Sequence, residues 1–285
     1  MAFIKYGMAM LAEPVTSLPT WIAKTASKNK TAQGGYIDLS DYPVDQFLFS
    51  QATILAGVEL EDNGFHVKSG FEHLVNMNGD CWTNDVALAT HKSFRGSYNF
   101  LNHLQVEEES KGTILDSAPR KVAIDTNGNK SVYVDLLVAT ARKHHTLCNA
   151  IETNQMRAMS LGAIVKESLC TKCGKTSTTG SDYCTHLLNE RRGFFVDEQG
   201  VRRIIAEVCG TEQRPDSNVF IEASWVDDPA FPGAAKRNLL TPIYDIAPSE
   251  KEEVMSIAAR NTLAGTNDAN YYARLMRIAR KAREV

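Results

Sequence analysis

The chain has no surplus of positive charge. Its 31 Lys and Arg are outnumbered by 34 Asp and Glu, for a net charge of −3. No basic field therefore argues for a nucleic-acid partner. It also has no long apolar run, and nothing approaches the roughly 18 consecutive apolar residues of a membrane helix. The first dozen residues lack a charged leader, a clean apolar block and a small-residue cleavage site, so no signal peptide is expected. There is no Gly-x-Ser-x-Gly elbow, which excludes the usual strand-to-helix route to a serine nucleophile.

What is present is enough to build a core: 43% of 285 residues are hydrophobic. Residues 1–45 read as a flexible N-terminal arm, because 24–35 is polar and tipped with glycine. Residues 46–240 carry the folded part. Apolar and β-branched runs at 46–58, 132–140 and 218–226 predict strands. The 98–106 stretch, which contains His103, alternates enough for another. The 125–129 segment, Asp-Thr-Asn-Gly-Asn, predicts a hairpin turn. Thr83 is placed to cap a helix towards Phe94, and 143–152 predicts one more short helix. Many short strands and few helices give an α+β class, a mostly antiparallel β-barrel with helices packed around it. Pro242 and Pro248 then mark a linker, and Ser249 with Glu252 forms a capping box. Residues 241–285 predict a helical C-terminal tail, with Tyr272, Leu275, Met276 and Ala279 on one helix face.

Six cysteines stand at 81, 148, 170, 173, 184 and 209, and three of them fall within fifteen residues beside a histidine. Cys170 and Cys173 form a CxxC knuckle ending in Gly174, and Cys184 with His186 forms a second pair. Two pairs on tight turns can place four donors around zinc. The intervening loop is too polar to fold by burial, so a structural zinc is expected in a knuckle at 168–192. Four protein ligands leave no open position for a catalytic water. Acidity and the lack of basic and aromatic clustering here argue against a nucleic-acid-binding ribbon. Cys81, Cys148 and Cys209 read as buried small hydrophobes.

On residue type alone, Ser160 is an ordinary strand serine and His103 an ordinary structural histidine. Serine chemistry needs a base within hydrogen-bond reach, an acid to orient it, and amides aimed at the oxyanion. Asn102-His103 with Lys111-Gly112, Met159-Ser160-Leu161-Gly162, and the 222–234 segment (Glu-x-Ser-x-Val running into Pro-Ala) occur in that order. Together they resemble the capsid maturation (prohead) serine proteases of tailed bacteriophages, which share a fold with the herpesvirus assembly proteases. Segment 70–80 and the cysteine cluster resemble a subgroup with an inserted zinc knuckle.

The resemblance spans about residues 45–240. It implies a serine endopeptidase that cleaves scaffold and major capsid proteins, and itself, inside an immature head in the host cytoplasm. Ser160 would be the nucleophile and His103 the base. Glu222 would complete the triad, with Asp80 as competitor and Asp116 and Asp135 as poorer candidates. Oxyanion amides are expected near Lys111-Gly112 or Arg191-Arg192-Gly193. Cleavage after acidic residues would put self-processing sites at Glu13, Glu250, Glu252 or Glu253. No catalytic cofactor is implied, and a homo-oligomer is compatible. The competing reading is a non-catalytic structural or scaffolding head protein that keeps the protease-like fold.

Overall fold

A computed structural model describes residues 3–7, 12–14, 37–210 and 217–226. The expected tail at 241–285, with its candidate cut sites, lies outside the described residues. Fourteen strands and three α-helices make up the described part. In order they are β1 (Phe3–Gly7), β2 (Ala12–Pro14), β3 (Phe47–Ala56), β4 (Asp80–Cys81), α1 (Asn84–Thr90), β5 (Tyr98–Asn99), β6 (Gly112–Ala123), β7 (Lys130–Ala141), α2 (His145–Glu152) and β8 (Ala158–Val165). After these come β9 (Ser168–Cys170), β10 (Thr176–Ser177), α3 (Thr185–Asn189), β11 (Phe194–Val196), β12 (Arg202–Ile204), β13 (Glu207–Cys209) and β14 (Asn218–Val226).

The main sheet has eight strands in the order β1-β8-β14-β5-β6-β7-β3-β2. All pairs are antiparallel except β14–β5. Its two edge strands, β1 and β2, are consecutive in sequence. Five Cα steps separate Gly7 from Ala12, a reach of at most about 18 Å. Eight flat strands would hold their edges roughly 34 Å apart. The sheet must therefore curl, and it forms a half-barrel. The described residues give the expected α+β class with a mostly antiparallel sheet, curled as a half-barrel. Phe3–Gly7 and Ala12–Pro14, expected to be loose arm, are edge strands on β8 and β3.

Alternation explains the core. β7 sends Val132, Val134, Leu136 and Val138 into the main cluster, while Leu137 and Ala139 meet Phe49, Leu115 and Ile37 on the other face. A strand buried on both faces has to be almost continuously apolar, and β7 is. The β6–β7 hairpin is closed by Asp125, whose Oδ1 accepts from the amides of Asn127 at 2.9 Å and Asn129 at 3.0 Å. Thr83 caps α1, its Oγ1 accepting from Val86 N at 3.2 Å.

β8 and β14 set the site. Met159, Leu161, Ala163 and Val165 face the core, so Ser160 and Gly162 face the opposite side. On β14, Phe220 faces the core, and so do Ala223 and Trp225. That change of parity comes from a register shift between Phe220 and Glu222, where one extra residue is inserted. The bulge turns Glu222 and Ser224 to the side that Ser160 occupies.

β8 ends at Val165. The chain breaks at 166–167 and enters a second sheet, β10-β9-β13-β4, in which β13 and β4 are parallel. The knuckle strands β9 and β10 thus share their sheet with β13 and with Asp80 and Cys81 from far upstream. β11 and β12 form a separate hairpin.

Candidate functional site

His103 lies in a turn, which corrects the expected strand placement. β5 ends at Asn99, and a single parallel bridge links Leu101 to Trp225. Trp225 N donates to Phe100 O at 2.9 Å, and Asn102 N donates to Trp225 O at 2.8 Å. Leu104 N then donates back to Leu101 O at 3.1 Å. The two central residues, Asn102 and His103, have φ of 50° and 58°. Two consecutive left-handed residues define a type I′ turn. Neither is glycine, so the turn is held in a sparsely populated conformation by the β14 backbone beside it.

That turn lays His103 over the β8–β14 pair. Its Nδ1 is 2.7 Å from Glu222 Oε1. Glu222 is 1% exposed, and its other oxygen, Oε2, accepts from Ser224 Oγ. Ser224 stands directly opposite Ser160 in the antiparallel register, and Glu222 stands opposite Gly162. Directly opposed residues carry their Cβ atoms about 4.5–5.5 Å apart on one face. One sheet face therefore gathers Ser160, Gly162, Glu222 and Ser224, with an imidazole above them.

The other candidate carboxylates are engaged differently. Asp80 Oδ1 is 3.2 Å from Arg191 Nη1, and Arg191 Nη2 also meets Glu207 Oε2 at 2.7 Å. Asp116 Oδ1 accepts from Arg95 Nε at 2.5 Å. Asp135 Oδ2 accepts from Arg120 Nε at 2.6 Å, and its Oδ1 accepts from Thr53 Oγ1 at 2.5 Å. Each of the three aspartates is neutralised by an arginine, whereas Glu222 meets an imidazole and a hydroxyl.

The expected oxyanion donors are already committed. Lys111 N donates to Asn99 O at 2.7 Å and Gly112 N to Ser110 Oγ at 3.3 Å. Gly112 is required by packing, since a Cβ there would lie 1.8 Å from Ala139 O. In the other stretch, Arg192 N donates to Ile205 O at 2.7 Å and Gly193 N to Glu190 O at 2.8 Å.

The second cluster is the Cys3His set. One ligand atom from each of Cys170, Cys173, Cys184 and His186 lies within 4.8 Å of the others. His186 Nδ1 is buried and makes no hydrogen bond. Burying such a nitrogen unpaired is costly, and a metal bond or a metal-bound imidazole accounts for it. The donor set fits a metal ion, and three sulfurs with one nitrogen suit tetrahedral zinc. The knuckle amide nearest a thiolate is Lys172 N, 3.4 Å from Cys170 Sγ. Gly174 N donates to Cys170 O at 2.9 Å. Its own requirement is a φ of +68°. Lys172 Nζ–Glu190 Oε2 at 2.6 Å and Thr171 Oγ1 to Ile204 O at 2.8 Å tie the knuckle down. Cys81, Cys148 and Cys209 are buried and in no disulfide.

Sequence reading did not assign a role to Ser224 or to the glycine at 162. The Glu-x-Ser spacing held the signal, because residues two apart on a strand share a face. No protein-family model, curated protein or solved structure matches the chain. The site rests on its own geometry.

Proposed function

We propose that the chain is a serine endopeptidase with Ser160 as nucleophile, His103 as base and Glu222 as the acid that orients the base. The observation that carries this is the His103 Nδ1–Glu222 Oε1 hydrogen bond of 2.7 Å, set above the strand pair that presents Ser160. With Nδ1–H donated to the carboxylate, Nε2 is the nitrogen left to accept a proton. Ser160 Oγ attacks the scissile carbonyl as its proton passes to His103 Nε2. The imidazolium then protonates the leaving amine, and water repeats the sequence to release the acyl group. Ser224 lies opposite Ser160 and gives its proton to Glu222 Oε2, which assigns it to holding the acid.

The order of the His103, Ser160 and Glu222 motifs and their likeness to prohead proteases support substrates among phage scaffold and capsid proteins. Self-cleavage after Glu13 is a stricter requirement. Glu13 pairs with Gln51 in β2, so β2 has to leave the sheet before that bond is cut. The Cys3His set is assigned to structural zinc, with no step of the reaction passing through it.

A second reading is a non-catalytic head protein of the same fold. It is favoured by the burial of Ser160, which is only 6% exposed. Co-expression with cognate scaffold and capsid proteins separates the two readings. The peptidase reading expects new termini, by intact mass, with wild type and none with Ser160→Ala or His103→Ala. Identical masses across all three support the structural reading.

A further inference from the structure

Glu222 is gripped from two sides and undercut from below. Ser224 Oγ donates to Oε2, and His103 Nδ1 meets Oε1. Under the carboxylate lies Gly162. A Cβ there would stand 2.6 Å from Oε1, 2.9 Å from Cγ and 3.1 Å from Cδ of Glu222. The first of these is the oxygen that faces the imidazole. Gly162 is not among the residues with positive φ, so backbone conformation does not call for glycine here. Glycine inside a strand forfeits packing and conformational entropy, and it marks a close approach. Here the approaching group is the Glu222 side chain.

We infer that Ser224 and Gly162 are positioning residues for the His103 imidazole. The terminal torsion of a glutamate is broad, so a carboxylate held at one oxygen can turn. A serine hydroxyl has a single proton to give. Given to Oε2, it fixes the rotation that aims Oε1 at Nδ1. Gly162 supplies the volume that lets Oε1 reach that position. The consequence is a fixed tautomer, with the proton on Nδ1 and the lone pair on Nε2. The bulge before Glu222 belongs to the same device, since it puts the carboxylate, Ser224 and Ser160 on one face. The catalytic half of this inference rests on the peptidase reading, and the tautomer half does not.

The test uses the full chain labelled with 15N-histidine, with the His103 signals assigned by their loss in His103→Gln. Wild type is expected to hold His103 as the Nδ1–H tautomer at mildly alkaline pH. Ser224→Ala should give the tautomer mixture of a free imidazole, and Ser224→Thr should restore a single form. Both variants should fold with wild-type metal content, and Ser224→Ala should melt below wild type because it strands a buried carboxylate oxygen.

Phosphonylation of Ser160 by a fluorophosphonate ester gives the kinetic readout. In Ser224→Ala its maximal rate should fall about 10- to 100-fold at an unchanged half-saturating concentration, short of the roughly 10²–10⁴ of a whole general base. Gly162→Ala should lose the tautomer as well. If it does not fold, the Ser224 pair decides. Wild-type tautomer and rate retained in Ser224→Ala overturn the inference, and so does a wild type without the Nδ1–H form. If wild type is inert to the probe, the peptidase reading fails, while the tautomer comparison still decides whether Ser224 positions His103.

Discussion

Two of the clusters among the described residues combine a histidine, a serine and a buried acid, and they differ in what the acid does. In one, His91 Nδ1 lies 3.0 Å from Ser117 Oγ, with Asp116 next in sequence. There the acid binds Arg95 Nε, and Arg95 Nη2 donates to Ser117 O at 3.2 Å. His91 is 4% exposed, and burial, with Arg95 and Lys92 nearby, pushes its pKa down to about 4. In the other, the acid is Glu222, its partners are His103 and Ser224, and the His103 side chain is 24% exposed. A buried carboxylate set against guanidinium is architecture. A buried carboxylate set against an imidazole with an accessible far edge can orient a base. Residue types alone do not separate the two clusters; the partner of the acid does.

The sharpest way to break this comparison is to neutralise each acid in turn. Glu222→Gln should cut Ser160 reactivity by about 10³–10⁴, the scale for losing the acid that fixes a catalytic tautomer. Asp116→Asn should leave reactivity per folded molecule unchanged. Equal losses of reactivity in the two variants would erase the distinction.

The roles should reverse in stability. Asp116→Ala strands Arg95 in the interior, and removing one partner of a buried pair costs about 3–5 kcal/mol. Urea unfolding should show that loss, with Glu222→Gln well below it.

The third prediction concerns the Cys170, Cys173, Cys184 and His186 set, whose donors fit a metal ion. Purified protein should carry one zinc per chain. A strong chelator should expose Cys170 to thiol reagents while leaving β7 amides protected from exchange. Cys173→Ser should weaken metal retention.

The smallest effect is the pH response of the sealed cluster. The folded pKa of His91 is held near 4, below the 6.5 of an unperturbed imidazole, so the unfolded chain binds the extra proton between those values. Stability is therefore full above about pH 6.5 and falls as pH drops towards 4, by an amount on the order of 2 kcal/mol. His91→Asn should flatten that slope, and a denaturation series from pH 7 to 4 measures it.

Much of the frame was legible. The continuous apolar run of β7, the Asp-Thr-Asn-Gly-Asn hairpin and the Thr83 cap each express a local rule, and the structure follows them. The Cys170, Cys173, Cys184 and His186 grouping was legible from spacing, because short loops bring such pairs together. The misreadings fall where tertiary contacts override local pattern. The sequence around His103 alternates like a strand, yet backbone bonds to Trp225 fold it into a turn at Asn102-His103. Nothing local marks 166–167 as the point where the chain leaves one sheet for another. The bulge beside Ile221 is equally silent, although it decides which way Glu222 points. Gly112 is called for by the approach of Ala139 O.

The central claim is that His103, and not His91, serves Ser160. Labelling the full chain with a fluorophosphonate ester and mapping the adduct by peptide mass spectrometry tests it directly. The expected result is modification at Ser160 in wild type, lost in His103→Ala and retained in His91→Asn. An adduct at Ser117 or Ser224, no adduct at all, or labelling of Ser160 indifferent to His103 would contradict the account.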